Sequence, residues 1–351
     1  LALFRNFWAF PISNSDCLVL IPPDREGLLL LNPTAAWIWY NSHHAHLQAA
    51  YAEHFGVPQE LAREDLRQTF ASWGDLPFAP ISAHSASVPV AIAEITASYR
   101  LDETRFCVRF ATAEIANELL PRLRELETAQ SSPDYTFDLI DVPEGTAVYR
   151  DGLRFAVEPL VTGARAVLLQ EITRLAVPGR DFPVILHAGA IGTEKACVIL
   201  AGASFSGKST LCVSLMLSGL LCYSDDSAAF TQDFEVAGMP FAISLREGSW
   251  PLFPKSYRTR FLPSNLNATT PTAPPIALIF VNYQADAQGT ILDPIQPFDA
   301  LVAIQQSGFW VEHSQQAIRS FLDWICKVPI YRLTYSDLAA ATQTVRDLLD
   351  T

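Results

Sequence analysis

The chain has 351 residues, of which half are apolar and 17% charged; that is enough material for two or three packed domains and excludes an extended disordered protein. Lys and Arg number 24 against 37 Asp and Glu, a formal charge of -13, which argues against nucleic acid as a partner because phosphate backbones require a basic surface. No stretch approaches about 18 uninterrupted apolar residues, so no membrane span is expected.

Six cysteines, Cys17, Cys107, Cys197, Cys212, Cys222 and Cys326, form no C-x-x-C pair, and most sit in apolar stretches. They read as buried thiols of a reducing compartment. The first residues lack the basic-then-apolar layout of a secretory signal, so a cytoplasmic location is expected.

In chain order, "CLVLIPPDREGLLLLN" reads as two short strands around a turn. Asn32 is placed to cap a helix with Pro33 in its first turn. Two more helical patterns follow, "HLQAAYAEHFGV" stopped by Gly56 and "PQELAREDLRQTFASWG" stopped by Gly74. These make a module over residues 1–80, with a Pro/Ser/Ala-rich linker at 81–95 and a larger domain at 96–351. The larger domain starts with alternating strand patterns in "SYRLDETRFCVRFA" and a helix expected to kink or stop near Pro121. Three short strands and a helix then lead to "PVILHAGAIGTEKACVILAG", read as two strands joined at Gly192–Lys195. Short strands, a buried strand in "PPIALIFVNYQ" and two closing helices, "PFDALVAIQQSG" and "SDLAAATQTVRDLLD", complete the chain.

One stretch carries chemistry. Gly202, Ala203, Ser204, Phe205, Ser206, Gly207, Lys208 and Ser209 fit G-x-x-x-x-G-K-[ST], and Thr210 follows. Glycines at these places let backbone N–H groups turn inward around a phosphate, and the next helix points its positive end there. Lys208 is placed for the β- and γ-phosphates and Ser209 for Mg²⁺. The motif lies between an apolar strand pattern, "ACVILA", and an apolar helix, the setting its chemistry needs. Asp225 and Asp226 follow the next apolar run, "GLLCYS"; one carboxylate can assist a metal while the other accepts a proton from an attacking hydroxyl. Elsewhere, His43, His44 and His46 lack a third ligand at suitable spacing and read as a solvated loop. The cluster Trp37, Trp39 and Tyr40 reads as core or a peptide-facing groove. Lys255, Arg258 and Arg260 concentrate positive charge, as a solvated loop or as a segment meeting phosphates.

From Leu186 to Phe230 the residues "LHAGAIGTEKACVILAGASFSGKSTLCVSLMLSGLLCYSDDSAAF" resemble the core of HPr kinase/phosphorylase and its diverged relatives. The shared order is a His-x-Gly strand, a hairpin, the phosphate loop, a helix ending in Gly and an Asp-Asp pair. The likeness is strong over about Pro183 to Phe230 and weaker over Tyr99–Val157 and Ser244–Leu348. It implies that Asp225 is the base for an acceptor serine, that Asp226 belongs to the metal site and that His187 lies near the phosphates. Two departures count against HPr itself as substrate and against phosphorylase activity. Thr210 stands where that kinase has a metal-side Glu, and its C-terminal glycine/arginine signature is missing. The stretch "ISLREGSW" looks like diverged kinases found beside peptide-modifying enzymes, with Arg246 facing transition-state charge.

Over about Cys17 to Trp73, "LLLLNPTAAWIWYN" and the helices after it resemble PqqD-like domains. These are small winged-helix elements that bind the leader of a ribosomally made precursor peptide as an added strand.

The resulting expectation is an α/β protein with α+β character: a mixed-sheet P-loop kinase core of HPr-kinase type behind a winged-helix PqqD-like module. It would use ATP and Mg²⁺ to phosphorylate a Ser or Thr hydroxyl of a precursor peptide, or another hydroxyl substrate, in peptide natural-product biosynthesis. The partners expected are that peptide and neighbouring biosynthetic enzymes, with no nucleic acid and no membrane, and a homo-oligomer is compatible. The alternative is a nucleotide-binding escort of the precursor with little phosphotransfer, which Thr210 favours and the intact Asp pair opposes. A plain NTPase acting on water is a third, weaker reading.

Overall fold

The computed structural model describes residues 7–13, 15–23, 25–74, 79–80, 94–129, 132–175, 182–266 and 270–350. The fold is mixed α/β, with several antiparallel or mixed sheets. The chain divides into two compact units: Leu1–Ala83 with His313–Cys326, and His84–Glu312 with Lys327–Thr351. The late segment His313–Cys326 thus leaves the expected 96–351 domain and joins the first unit. Residues 81–93 of the expected linker lie outside the described residues.

In the first unit β1 (Trp8–Pro11), β2 (Leu18–Ile21) and β3 (Leu29–Leu31) form an antiparallel sheet with β2 central. The expected hairpin is β2–β3, and β1 adds a strand the sequence reading did not include. Helices α1 (Pro33–Asn41), α2 (Leu47–Phe55) and α3 (Gln59–Gly74) cover it. Asn32 caps α1 by accepting from the Ala35 N–H at 2.9 Å, and Gly56 ends α2 in the left-handed region at φ 65°. Leu18, Leu20, Ile38, Tyr51 and Leu66 form the core, with Trp37 and Trp39 packed against it. A helix absent from the sequence expectation, α8 (Gln315–Lys327), buries Ala317, Ile318, Phe321, Leu322 and Ile325 on one stripe.

The second unit opens with a five-stranded sheet of β4 (Ile95–Leu101), β5 (Thr104–Phe110), β6 (Tyr135–Val142), β7 (Gly145–Arg150) and β8 (Leu153–Glu158), paired in sequence order. Only β5–β6 is parallel, and α4 (Ala113–Leu123) makes that crossover. The helix runs through Pro121 rather than stopping there, which places Arg122 on a helical turn. Helix α5 (Val161–Leu175) packs with α4 on the core of this sheet.

The apolar stretch read as two strands is three: β9 (Val184–Leu186), β10 (Gly189–Gly192) and β11 (Cys197–Ala201). The chain changes sheets at His187–Ala188. β10 and β11 pair as the expected hairpin, whereas β9 lies between β13 (Ala228–Phe230) and β16 (Phe309–Val311) in another sheet. The larger sheet runs β12 (Leu221–Ser224), β10, β11, β14 (Pro275–Tyr283), β17 (Ile330–Tyr335) and β15 (Ile291–Pro294). Its centre, β11–β14–β17, is parallel. Helices α6 (Lys208–Leu217) and α9 (Leu338–Leu349) pack on it through Leu211, Leu215, Ala341 and Val345. The remaining helix, α7 (Pro297–Ser307), precedes β16. Among the described residues no helix is long and apolar enough to cross a membrane.

Candidate functional site

The site grows from the centre of the larger sheet. All five residues of β11 are buried, and its C-terminal end runs into the loop 202–207 and then α6. Gly202 at φ 143° and Gly207 at φ 96° occupy backbone conformations that side chains rarely adopt. Space requires glycine there as well. A Cβ on Gly202 would stand 2.8 Å from the Val281 carbonyl oxygen, and one on Gly207 would stand 2.6 Å from the Tyr335 hydroxyl. The Tyr283 N–H donates to the Ser206 carbonyl at 2.9 Å and pins the loop to the end of β14. The first N–H groups of α6 have no intrahelical acceptors, and the helix dipole adds positive potential at that end. Strand, loop and helix therefore make a cradle for an anion.

Lys208 is buried, and its Nζ donates to the Gly202 carbonyl at 2.5 Å and to the Ala203 carbonyl at 3.3 Å. Burial pushes its pKa down, while Asp226 works in the opposite direction. The lysine closes over its own loop on neutral carbonyls, which a phosphate would outcompete. In the same loop Ser206 Oγ is buried with no hydrogen-bond partner among the described residues. Phe205 is 83% exposed at φ 69°, a strained value for an aromatic residue. The Arg246 guanidinium stacks on it, 3.7 Å from the ring centroid. Thr210 Oγ1 hydrogen-bonds Ser249 Oγ at 2.7 Å and so ties the first turn of α6 to the segment that begins at Arg246. That bond gives Thr210 a positioning role which the sequence did not suggest.

The Asp pair sits in a turn at the end of β12. Ser224 Oγ accepts from the N–H groups of Asp226 at 3.2 Å and Ser227 at 2.7 Å, and this shapes the turn. Asp225 is only 4% exposed. Its Oδ2 accepts from Arg122 Nη1 at 3.1 Å and from the Ser244 N–H at 2.9 Å. Oδ1 carries no such bond among the described residues. Asp226 is the more open of the pair, and its Oδ1 lies 3.3 Å from His187 Nδ1. His187 stands at the change of sheets, held by its N–H to the Gly308 carbonyl at 3.1 Å. The glycine of the His-x-Gly pattern has a steric cause: a Cβ on Gly189 would meet Cys212 Sγ of α6 at 2.6 Å.

Arg122 was missed by sequence reasoning. It is 1% exposed and comes from α4, 103 residues before its partner. Burial disfavours its charge, but the Asp225 and Asp226 carboxylates outweigh that and push its pKa up. Its main chain also takes part, since the Ala242 N–H donates to the Arg122 carbonyl at 2.9 Å. Behind it, Glu118 accepts from Arg165 at 3.3 Å and from Arg260 at 2.6 Å. Burial and the neighbouring Arg122 charge push Arg165 down. Arg260 is thus spent on structure, and Arg258 donates to the Phe253 carbonyl. The basic segment therefore does not present three free cations to the loop.

The loop offers a cradle that side chains would fill, an orphaned buried hydroxyl and a lysine on replaceable partners; among the described residues no group of three or more His, Cys, Asp or Glu is placed to hold a metal ion. Magnesium takes few protein ligands and uses phosphate oxygens and water for the rest. Scans against protein-family models and against curated proteins return no match for this chain.

Proposed function

We propose that the second unit is an ATP-dependent phosphotransferase with an HPr-kinase-like core, acting on a Ser or Thr hydroxyl of a ribosomally made peptide. The observation that carries the reading is the pairing of a phosphate cradle, Gly202–Thr210, with two carboxylates whose neighbours give them different environments. Backbone N–H groups at the start of α6 hold the phosphates, and Lys208 swings from its carbonyls onto the β- and γ-oxygens. Ser209 and Asp226 would hold Mg²⁺, which when bound neutralises charge on the β- and γ-phosphates. Arg122 and the Ser244 N–H fix Asp225 through Oδ2, so Oδ1 is the oxygen left to receive the acceptor's proton. The step is dominated by positioning and charge stabilisation. Arg246, stacked on Phe205 of the loop, is a further cation for transition-state charge.

The first unit is read as a winged-helix, PqqD-like element. Edge strands β1 and β3 offer backbone groups to which a precursor peptide can add as a strand. The engagement of Thr210 by Ser249, away from a metal-side role, favours the second reading, a nucleotide-binding escort. Calorimetry with Mg·ATP and AMP, together with the mass of the peptide encoded beside the gene, separates the two. The kinase reading requires ATP binding that Lys208→Ala weakens at least tenfold and a phosphate gain on the peptide. ATP binding with an unchanged peptide mass favours the escort, and no ATP binding defeats both.

A further inference from the structure

Beside the Asp pair lies a cavity of about 310 Å³ that none of the residues Gly202–Thr210 lines. Its apolar wall is Leu169 of α5, Ile185 and Leu186 of β9 and Phe309 of β16. Its polar groups are Gln170, His187, Asp226, Ser227 and Ser307. Asp226 is the shared element: it lines the cavity, pairs with His187 at 3.3 Å, and supports the charge on Lys208 of the phosphate loop.

We infer that this cavity is the acceptor subsite of the phosphotransfer proposed above, on which the inference rests, and that it takes one uncharged, hydroxyl-bearing residue flanked by amides. Three observations set that class. First, the volume is at the small end of ligand sites, which run from about 300 to 1,000 Å³, so it holds a single residue rather than a folded partner. Second, the polar equipment is not used up. Ser307 Oγ donates to the Ala303 carbonyl, but the Gln170 amide and the Ser227 hydroxyl carry no hydrogen bond among the described residues. A primary amide and a hydroxyl are matched by the amide and hydroxyl of a serine or threonine residue. Third, Asp226 lines the cavity and neither Lys nor Arg does. A carboxylate on the acceptor would meet Asp226 with only His187, 3.3 Å from that aspartate, and no Lys or Arg in the lining to offset it, so free acids bind less well.

The reaction this serves balances simply. The acceptor oxygen bonds to the γ-phosphorus, and its proton passes to the carboxylate of Asp225. The bond from the γ-phosphorus to the bridging oxygen breaks, and its electron pair leaves on ADP. The cavity holds the acceptor's body; Asp226 of the pair lines it, and Asp225 adjoins Asp226 in the turn that Ser224 shapes.

The test uses the full chain with Mg·ATP labelled at the γ-position and two probes, N-acetylserine amide and N-acetylserine. Saturation-transfer NMR reads probe binding, and label on the probe reads transfer. Free serinamide forms a third arm, which tells a small amino alcohol from a residue within a chain. The amide probe should be preferred over the acid at least tenfold. Ala166→Trp, which puts a large ring at the cavity's rim, should raise the amide's KM at least tenfold. ATP affinity measured on the same preparation tells loss of this subsite from loss of the fold. Equal use of the acid, an unchanged KM in Ala166→Trp, or bound ATP with neither N-acetyl probe engaged would overturn the subsite; if label still reaches the precursor peptide, phosphotransfer stands without it. Preference for serinamide over the N-acetyl amide would overturn the residue-in-chain assignment. If the chain binds no ATP, the phosphotransfer reading falls and the subsite with it.

Discussion

The buried Arg122–Asp225 pair allows a test of how the site is held. Arg122 is 1% exposed and Asp225 4%, and they meet at 3.1 Å. Arg122→Met keeps an unbranched stem in the core and deletes the guanidinium. Asp225 then retains only the Ser244 N–H as a hydrogen-bond donor among the described residues, and its buried charge is left to the less direct attraction of Arg165 and Lys208. Removing one partner of such a pair costs about 3–5 kcal/mol. Replacing the pair as a whole costs far less: in Arg122→Met/Asp225→Asn the amide oxygen still accepts from Ser244, and at least about 2 kcal/mol should return. Urea unfolding gives the free energies, and hydrogen exchange over Leu221–Ser224 shows whether the loss is local to the Asp turn. The two units can unfold separately, so the transition to read is the one that exposes β12. A loss below about 1 kcal/mol in the single variant would refute the argument, as would the absence of recovery in the double variant.

Three further outcomes are expected. Gly207→Ala forces a Cβ to 2.6 Å from the Tyr335 hydroxyl at φ 96°, so it should destabilise by about 1–3 kcal/mol and weaken ATP binding at least tenfold by calorimetry. Burial pushes Lys208 down from the usual lysine range, and bound phosphates favour its charged form. ATP affinity then falls as pH rises through that lowered value, with proton uptake in calorimetry across buffers of different ionisation heat; Lys208→Met should show none. The same shift means the unfolded chain binds more protons there, so this group's contribution to stability rises with pH across that window. Phe321→Ala, at a position 2% exposed on α8, should cost about 3–5 kcal/mol and speed exchange in β2 of its own unit, and unchanged β2 exchange would show that α8 is not part of that core.

What could be read from sequence was local. Asn32, Gly56 and the Gly202–Ser209 spacing announce themselves because cap, stop and cradle each need particular residues at fixed offsets. The apolar run before Asp225 gave β12 for the same reason. What was missed depends on distant pairing. Arg122 reaches Asp225 across 103 residues, and Pro121 disguised the helical turn that carries it. The break at His187 is invisible in a run of apolar residues, since β9 and β10 differ only in which sheet accepts them. Ser249 gave no warning of its bond to Thr210. Helix α8 was legible, with Ala317, Ile318, Phe321, Leu322 and Ile325 at helical spacing, and was overlooked; its membership of the first unit was not.

The central claim is that one site holds the donor phosphates and delivers one of them to a hydroxyl. Its most direct test is a single turnover of the full chain with γ-labelled ATP, Mg²⁺ and the precursor peptide, run beside Asp225→Asn. The account predicts label on the peptide with the wild-type chain and loss of transfer in the variant while ATP still binds. Label appearing only as free phosphate, or transfer undiminished in Asp225→Asn, would contradict it.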